Sequence, residues 1–189
     1  MTAFEPLPIV RALPLRVEDF LLLNDSGAFD GYGKTELIDG GIVFMNAQHR
    51  PHARVKTQLR RALDRALTVA GSTYMALVEV TVALPPHNAP EPDLVVTNEP
   101  EGKGPVPLVS VALVIEVAHS TIAQDLLVKP RIYASAGVPE YWVADVEERV
   151  IHQFWRPEGE VYLERCKHAF GERIALVSLP LDVDTAGLS

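Results

Sequence analysis

Two short apolar runs constrain the fold most, because each carries an acid where none is expected. Leu94-Val95-Val96 is preceded by Pro92-Asp93, and Val111-Ala112-Leu113-Val114-Ile115 runs directly into Glu116-Val117-Ala118. Runs this short and rich in valine read as strands buried on both faces. An ionised carboxylate among valines is strongly disfavoured unless a cation or hydrogen-bond donors offset its burial. A carboxylate pair at the ends of adjacent buried strands can hold a hard divalent cation through oxygen ligands. The competing reading is structural: Asp93 caps a loop and Glu116 pairs with an arginine.

Around these runs the pattern gives a mixed set of elements. Residues Arg16 to Asn24 read as a short helix. Glu36 to Phe44 reads as a hairpin turning at Asp39-Gly40. Ala53 to Ala70 has apolar residues at helical spacing (Leu59, Ala62, Leu63, Ala66, Leu67) and stops at Gly71. Met75 to Leu84 alternates as a strand up to Pro85-Pro86. A helix is expected over Ile122 to Ala136, kinked or delayed by Pro130. Tyr141 to Ala144 should pair with Val150 to Trp155, with further strands at Val161 to Glu164 and Ile174 to Leu179. This order predicts an α/β (α+β) architecture, a mixed β-sheet flanked by helices. With 189 residues the chain fits one domain over residues 16–189, after an N-terminal extension over residues 1–15.

The single cysteine, Cys166, cannot form an internal disulfide, and the composition suits a reducing, cytoplasmic setting. Residues 1–15 do not read as a secretory signal, and no apolar run approaches the roughly 20 residues of a membrane span. The net charge of −8 argues against a general nucleic-acid binder, but it is unevenly placed. The window from Gln48 to Gly71 holds Arg50, Arg54, Lys56, Arg60, Arg61 and Arg65 against Asp64, for +5, which leaves −13 on the rest. That basic helix face is either a solvated exterior or a surface for a phosphate backbone.

Several further segments carry a resemblance. These are Glu36-Leu37-Ile38-Asp39-Gly40 with Ile42-Val43, His52 near the start of a helix, Glu91-Pro92-Asp93-Leu94-Val95-Val96, and Glu116 to Asp145. The last includes Asp125, Lys129, Tyr133-Ala134, Gly137-Val138-Pro139-Glu140-Tyr141-Trp142 and Asp145. In order and spacing the chain resembles the Uma-two family of endonucleases, a branch of the PD-(D/E)XK superfamily with a restriction-endonuclease-like fold. The resemblance implies a hydrolase of phosphodiester bonds in DNA that uses Mg²⁺ or Mn²⁺. It implies Asp93, Glu116 and the main-chain carbonyl of Val117 as metal ligands. It also implies Lys129 as the lysine usually found two residues after the glutamate, where this chain has Ala118. Glu36 and His52 match two further polar positions. The sequence departs from the family pattern at Gly41 and at His119, which could compete for a softer metal.

On this reading Lys129 would assist water or phosphate, Glu36 would extend the acidic cluster, and His52 would bind a phosphate or relay a proton. Arg50, Arg54, Lys56 and Arg61 would hold the nucleic acid. A homodimer is expected, with Tyr141 or the C-terminal strands as its interface. Asp125 should pair with Lys129 at i,i+4, Glu79 is a strand-surface acid or an outer member of the cluster, and His87 lies exposed in a loop. Two rival readings remain: a nuclease fold kept as a binding or assembly module with little activity, and a histidine or serine hydrolase. The second lacks both a zinc-helix histidine pair and a Gly-x-Ser-x-Gly turn.

Overall fold

The computed structural model describes residues 12–45 and 49–188. Most of the expected N-terminal extension, residues 1–11, lies outside the described residues. The elements run α1 (Val17–Asp25), β1 (Thr35–Ile38), β2 (Gly41–Phe44), α2 (Arg50–Val69), β3 (Met75–Val78), β4 (Val82–Ala83), β5 (Leu94–Thr97) and β6 (Val106–Pro107). A 3₁₀ turn at Leu108–Ser110 leads into β7 (Val111–Ala118), then α3 (Ile122–Leu127), α4 (Lys129–Ala136), β8 (Glu140–Asp145), β9 (Val150–Glu158), β10 (Val161–Ala169), β11 (Arg173–Ala175) and β12 (Asp182–Asp184). No helix among the described residues is long and apolar enough to cross a membrane.

The main sheet has the order β10-β9-β8-β7-β5-β3. Within it β7 and β8 run parallel, joined by the α3–α4 crossover, and the other neighbours are antiparallel. The mixed α/β sheet flanked by helices is therefore as expected. The two-residue period of the strands divides the core. Leu94, Val96, Leu113, Ile115 and Val117 pack with Val55, Leu59, Leu63 and Leu67 of α2. Val95, Val114 and Ala118 pack on the opposite face with Ile132 and Tyr133 of α4 and Tyr141 of β8. All eight residues of β7 are buried, which is why its sequence is continuously apolar apart from Glu116.

The β1–β2 hairpin and α1 form a smaller cluster through Val17, Phe20, Leu37 and Ala89. Its turn has Asp39 at φ 49° and Gly40 at φ 77°, and the Leu15 amide donates to the Gly40 carbonyl at 3.0 Å. A Cβ on Gly40 would lie 2.4 Å from Cβ of Pro14, so this turn requires glycine on two counts.

Five sequence expectations need correction. α2 begins at Arg50, with a proline in its first turn, rather than at Ala53. The run Met75 to Leu84 is two strands, because Glu79 adopts φ 51° and breaks the ladder; the alternation of valines on either side masks the break. The stretch Ile122 to Ala136 is two helices that meet at Val128, with Pro130 in the first turn of the second, where its missing amide hydrogen costs nothing. The last expected strand, Ile174 to Leu179, is ordered as a strand only at Arg173–Ala175. Tyr141, offered as an interface residue, is fully buried and stacks near Phe154 and Tyr133, so it cannot form a subunit contact.

Candidate active site

Asp93 stands one residue before β5, and Glu116 lies one residue beyond Ile115 in β7. Leu94 pairs with Ile115 in the antiparallel register, so the next position sets the two acids opposite each other. Glu116 shares its face with Val114 and Ala118, turned toward α4. Its Oε1 accepts from Lys129 Nζ at 2.7 Å and from the Tyr133 hydroxyl at 2.9 Å. Asp93 sits where the chain enters the sheet. Its Oδ2 accepts from the Val117 amide at 2.8 Å and meets His52 Nε2 at 3.0 Å, while Oδ1 is 3.5 Å from Lys56 Nζ.

Both acids, with Val117, line an open cleft of about 830 Å³. Lys34, His52, His119 and Asp125 contribute to its walls. Lys129 and Glu36 lie behind this surface. Lys129 is 1% exposed, and Glu36 is fully buried, with Oε1 accepting from the Glu91 amide at 2.9 Å and lying 3.6 Å from Lys129 Nζ. The Oε2 of Glu36 has no hydrogen-bond partner among the described residues. Glu36 therefore sits beneath the lysine, not as a rim acid extending the cluster into the cleft.

The electrostatics follow from this layering. Burial pushes Glu116 up to about 8, and the attraction of Lys129 restrains the rise. Burial also works against the charge of Lys129, but Glu116, Glu36 and Asp125 outweigh it and keep the amine protonated. For Asp93 burial is again opposed, here by the hydrogen bond and charge of His52 and by the Val117 amide, which hold its carboxyl below the ordinary range. Asp125 is raised by burial despite Lys129.

Other sequence-predicted residues fall elsewhere than expected. Asp125 accepts from the Thr121 hydroxyl at 2.5 Å and forms no ion pair with Lys129, whose amine is taken by Glu116 and Glu36. Lys56 leaves the basic face of α2. It is 8% exposed and pairs with Glu79 at 2.6 Å as well as with Asp93. The signal for this was present, since His52, Lys56, Leu59 and Leu63 share the inner side of one helix at i, i+4, i+7 and i+11. Glu79, on the left-handed residue that interrupts the strand, lines the cleft as the partner of Lys56. His87 is not free in its loop, because its Nδ1 lies 2.8 Å from the Leu15 carbonyl oxygen. Arg50, Arg54 and Arg61 are exposed on α2. The hydroxyl of Tyr133, a direct donor to Glu116, had no role in the sequence reading.

Among the described residues no three His, Cys, Asp or Glu side chains converge as a closed metal site would need. A comparison with curated proteins gives no match. Among solved structures, the chain is similar in fold to a protein from Anabaena variabilis described as "a putative nuclease belonging to DUF820". The identity is 16%, the match covers 93% of this chain and 97% of that one, and the TM-score is 0.69. The model of the Uma2 family, described as "Putative restriction endonuclease", matches residues 17–186, which span every element from α1 to β12. The chain belongs to the Uma2 family of nuclease-like proteins.

Proposed function

We propose that this protein is a divalent-metal-dependent endonuclease that hydrolyses phosphodiester bonds in DNA, acting at the cleft floored by Asp93 and Glu116. The observation that carries the reading is the register of β5 against β7, which sets two carboxylates side by side in an open cleft with a protonated lysine behind one of them.

The donor set suits a hard cation with open positions. Mg²⁺ keeps several waters and takes one or two carboxylates together with substrate phosphate oxygens. Asp93, Glu116 and the main-chain carbonyl of Val117 would hold Mg²⁺ or Mn²⁺ in that manner. A divalent cation beside Glu116 would also offset the cost of burying its charge. When bound, the ion supplies activation of water and neutralisation of charge on the phosphate.

The remaining residues act through the acids. Lys129 fixes Glu116 in one orientation and maintains positive potential beneath the scissile group. Glu36 keeps that ammonium in place from below, and Tyr133 completes the bonding of Glu116. His52 orients Asp93 through Nε2. All four are positioning residues. The exposed arginines of α2, Arg50, Arg54 and Arg61, would grip the phosphate backbone. Action as a two-fold dimer through the exposed edge strand β10 belongs to the same reading and is checked by sedimentation. So does a cytoplasmic setting, in keeping with one exposed free cysteine.

One observation favours the alternative of a binding module without cleavage: Asp93 and Glu116 already have His52, Lys56 and Lys129 as internal partners. Plasmid cleavage in Mg²⁺ or Mn²⁺ separates the two. Wild-type protein should nick or linearise DNA, and Asp93→Ala and Glu116→Ala should each abolish this. Cleavage that survives both substitutions discards the proposed site, and a wild type that binds DNA without cutting it supports the module.

A further inference from the structure

On the far side of the first turns of α2 lies a second concavity, of about 510 Å³, bounded by α2, the β8–β9 turn and the end of β10. Three arginines converge on it: Arg50 and Arg54 from α2, and Arg149 from the turn. No acid lines it, although Glu147 and Glu148 belong to the same turn. Elsewhere Arg16, Arg60, Arg131 and Arg156 form ion pairs. Arg50, Arg54 and Arg149 form none among the described residues; the same holds for Arg61, Arg65, Arg165 and Arg173, which do not line this hollow. Three exposed guanidiniums around one hollow, with no acid among its walls, make a positive site that favours an anion.

The position of Arg149 is built rather than incidental. Asp145 Oδ1 accepts from the amides of Glu147 and Glu148, both at 3.0 Å, which shapes the turn. The Arg149 backbone holds φ 57°, a conformation an L residue keeps only where its surroundings impose it. Its carbonyl accepts from the Phe170 amide at 2.9 Å, and its guanidinium lies 6.0 Å from the Phe170 ring centroid, a cation–π arrangement at the pocket wall. The Val146 amide donates to the Ala118 carbonyl at 2.9 Å, so the turn is tied to the end of β7, two residues beyond Glu116.

We propose that Arg50, Arg54 and Arg149 form a phosphate subsite that seats a backbone phosphate of the nucleic-acid strand flanking the one held in the cleft. The proposal rests on the nuclease reading and adds to it a residue outside α2 and a path for the strand. α2 offers His52 to the cleft and Arg50 and Arg54 to the subsite, so a strand crossing the start of this helix reaches both. Guanidiniums suit the role because their planar forks match phosphate oxygens bidentately. The same chemistry would accept the phosphate of a free nucleotide, and the experiment separates the two.

Fluorescence anisotropy with a labelled DNA duplex, without divalent metal, is run across 50–200 mM salt for wild type, Arg149→Gln, Arg149→Lys and Arg156→Gln, with a parallel titration of inorganic phosphate. Loss of one phosphate contact lowers the slope of log affinity against log salt by about 1. Arg149→Gln should show that drop with weaker binding, Arg149→Lys should recover part of it, and Arg156→Gln should match wild type. Arg149→Gln binding DNA with the wild-type slope overturns the subsite, whatever the cleavage assay gives. Phosphate affinity lost in Arg149→Gln with an unchanged DNA slope assigns the pocket to a free ligand and overturns the backbone role. A normal subsite result with no cleavage by wild type leaves the subsite standing and removes the nuclease reading.

Discussion

Lys129 and Glu116 meet at 2.7 Å inside the protein, with Lys129 1% exposed and Glu116 4% exposed. Removing one member of a buried pair strands the other, so Lys129→Met should destabilise the fold by about 3–5 kcal/mol. The double variant Lys129→Met/Glu116→Gln should recover a substantial part of that loss. Urea unfolding of both singles and the double, read as a double-mutant cycle, checks it. Strict additivity would mean that the two side chains do not act as a pair.

Metal binding should be visible without turnover. A ligand that binds the native state at about 100 times its Kd stabilises by about 2.7 kcal/mol. Mn²⁺ should therefore raise the thermal midpoint by several degrees, and calorimetry should detect the same event. Asp93→Ala should lose both signals. His52→Ala removes the group that orients Asp93 and should weaken Mn²⁺ binding about 10–100-fold while retaining the site. Equal binding by His52→Ala and wild type would reduce His52 to a packing residue.

Glu140 is a buried acid of a different kind. Its Oε1 accepts from Trp142 Nε1 and Gln153 Nε2, both at 2.7 Å, and its Oε2 from the amides of Val177 and Ser178 at 2.9 and 2.8 Å. Glu140→Ala leaves four donors without their acceptor and should destabilise by about 3 kcal/mol or more. The corresponding fall in thermal midpoint is about 6–12 °C for a chain of this size. Cleavage measured well below the new midpoint should be unchanged, which separates this carboxylate from Asp93 and Glu116.

The β1–β2 turn gives a conformational test. Gly40→Ala must place a methyl group against Pro14 from a left-handed backbone, whereas a Cβ at Gly41 meets only the Ile38 carbonyl oxygen, at 3.4 Å. Gly40→Ala should destabilise by more than the roughly 1 kcal/mol of the left-handed conformation alone, and Gly41→Ala by much less. Comparing the two by chemical denaturation checks the docking of Pro14 and Leu15 on the hairpin.

The contrast between Glu116 and Glu140 marks how much could be read from sequence. Both acids stand in fully buried strands, and the apolar runs around them locate the strands because burial on both faces leaves no polar periodicity to confuse the pattern. Apart from the Trp142 indole on Glu140, what satisfies each acid is not local. Glu140 is bonded by amides 37 and 38 residues away, and Glu116 by a lysine whose helix begins only because the crossover breaks at Val128. α2 was legible from its spacing, and the same spacing carried the inward turn of Lys56, obscured by its membership in a basic run. Glu36 was legible as a motif position but not in depth, since a four-residue strand has too few positions to tell a rim from a floor. The kink at Glu79 left no trace among alternating valines.

The two-sided use of α2 makes its early turns a mechanical lever. One stiff rod carries the group that orients Asp93 on one side and, on the proposed reading, the groups offered to a flanking phosphate on the other, so a pull on the strand at one side would change the aim at the other. On the same reading, a displacement of this rod along its axis would alter grip and cut together.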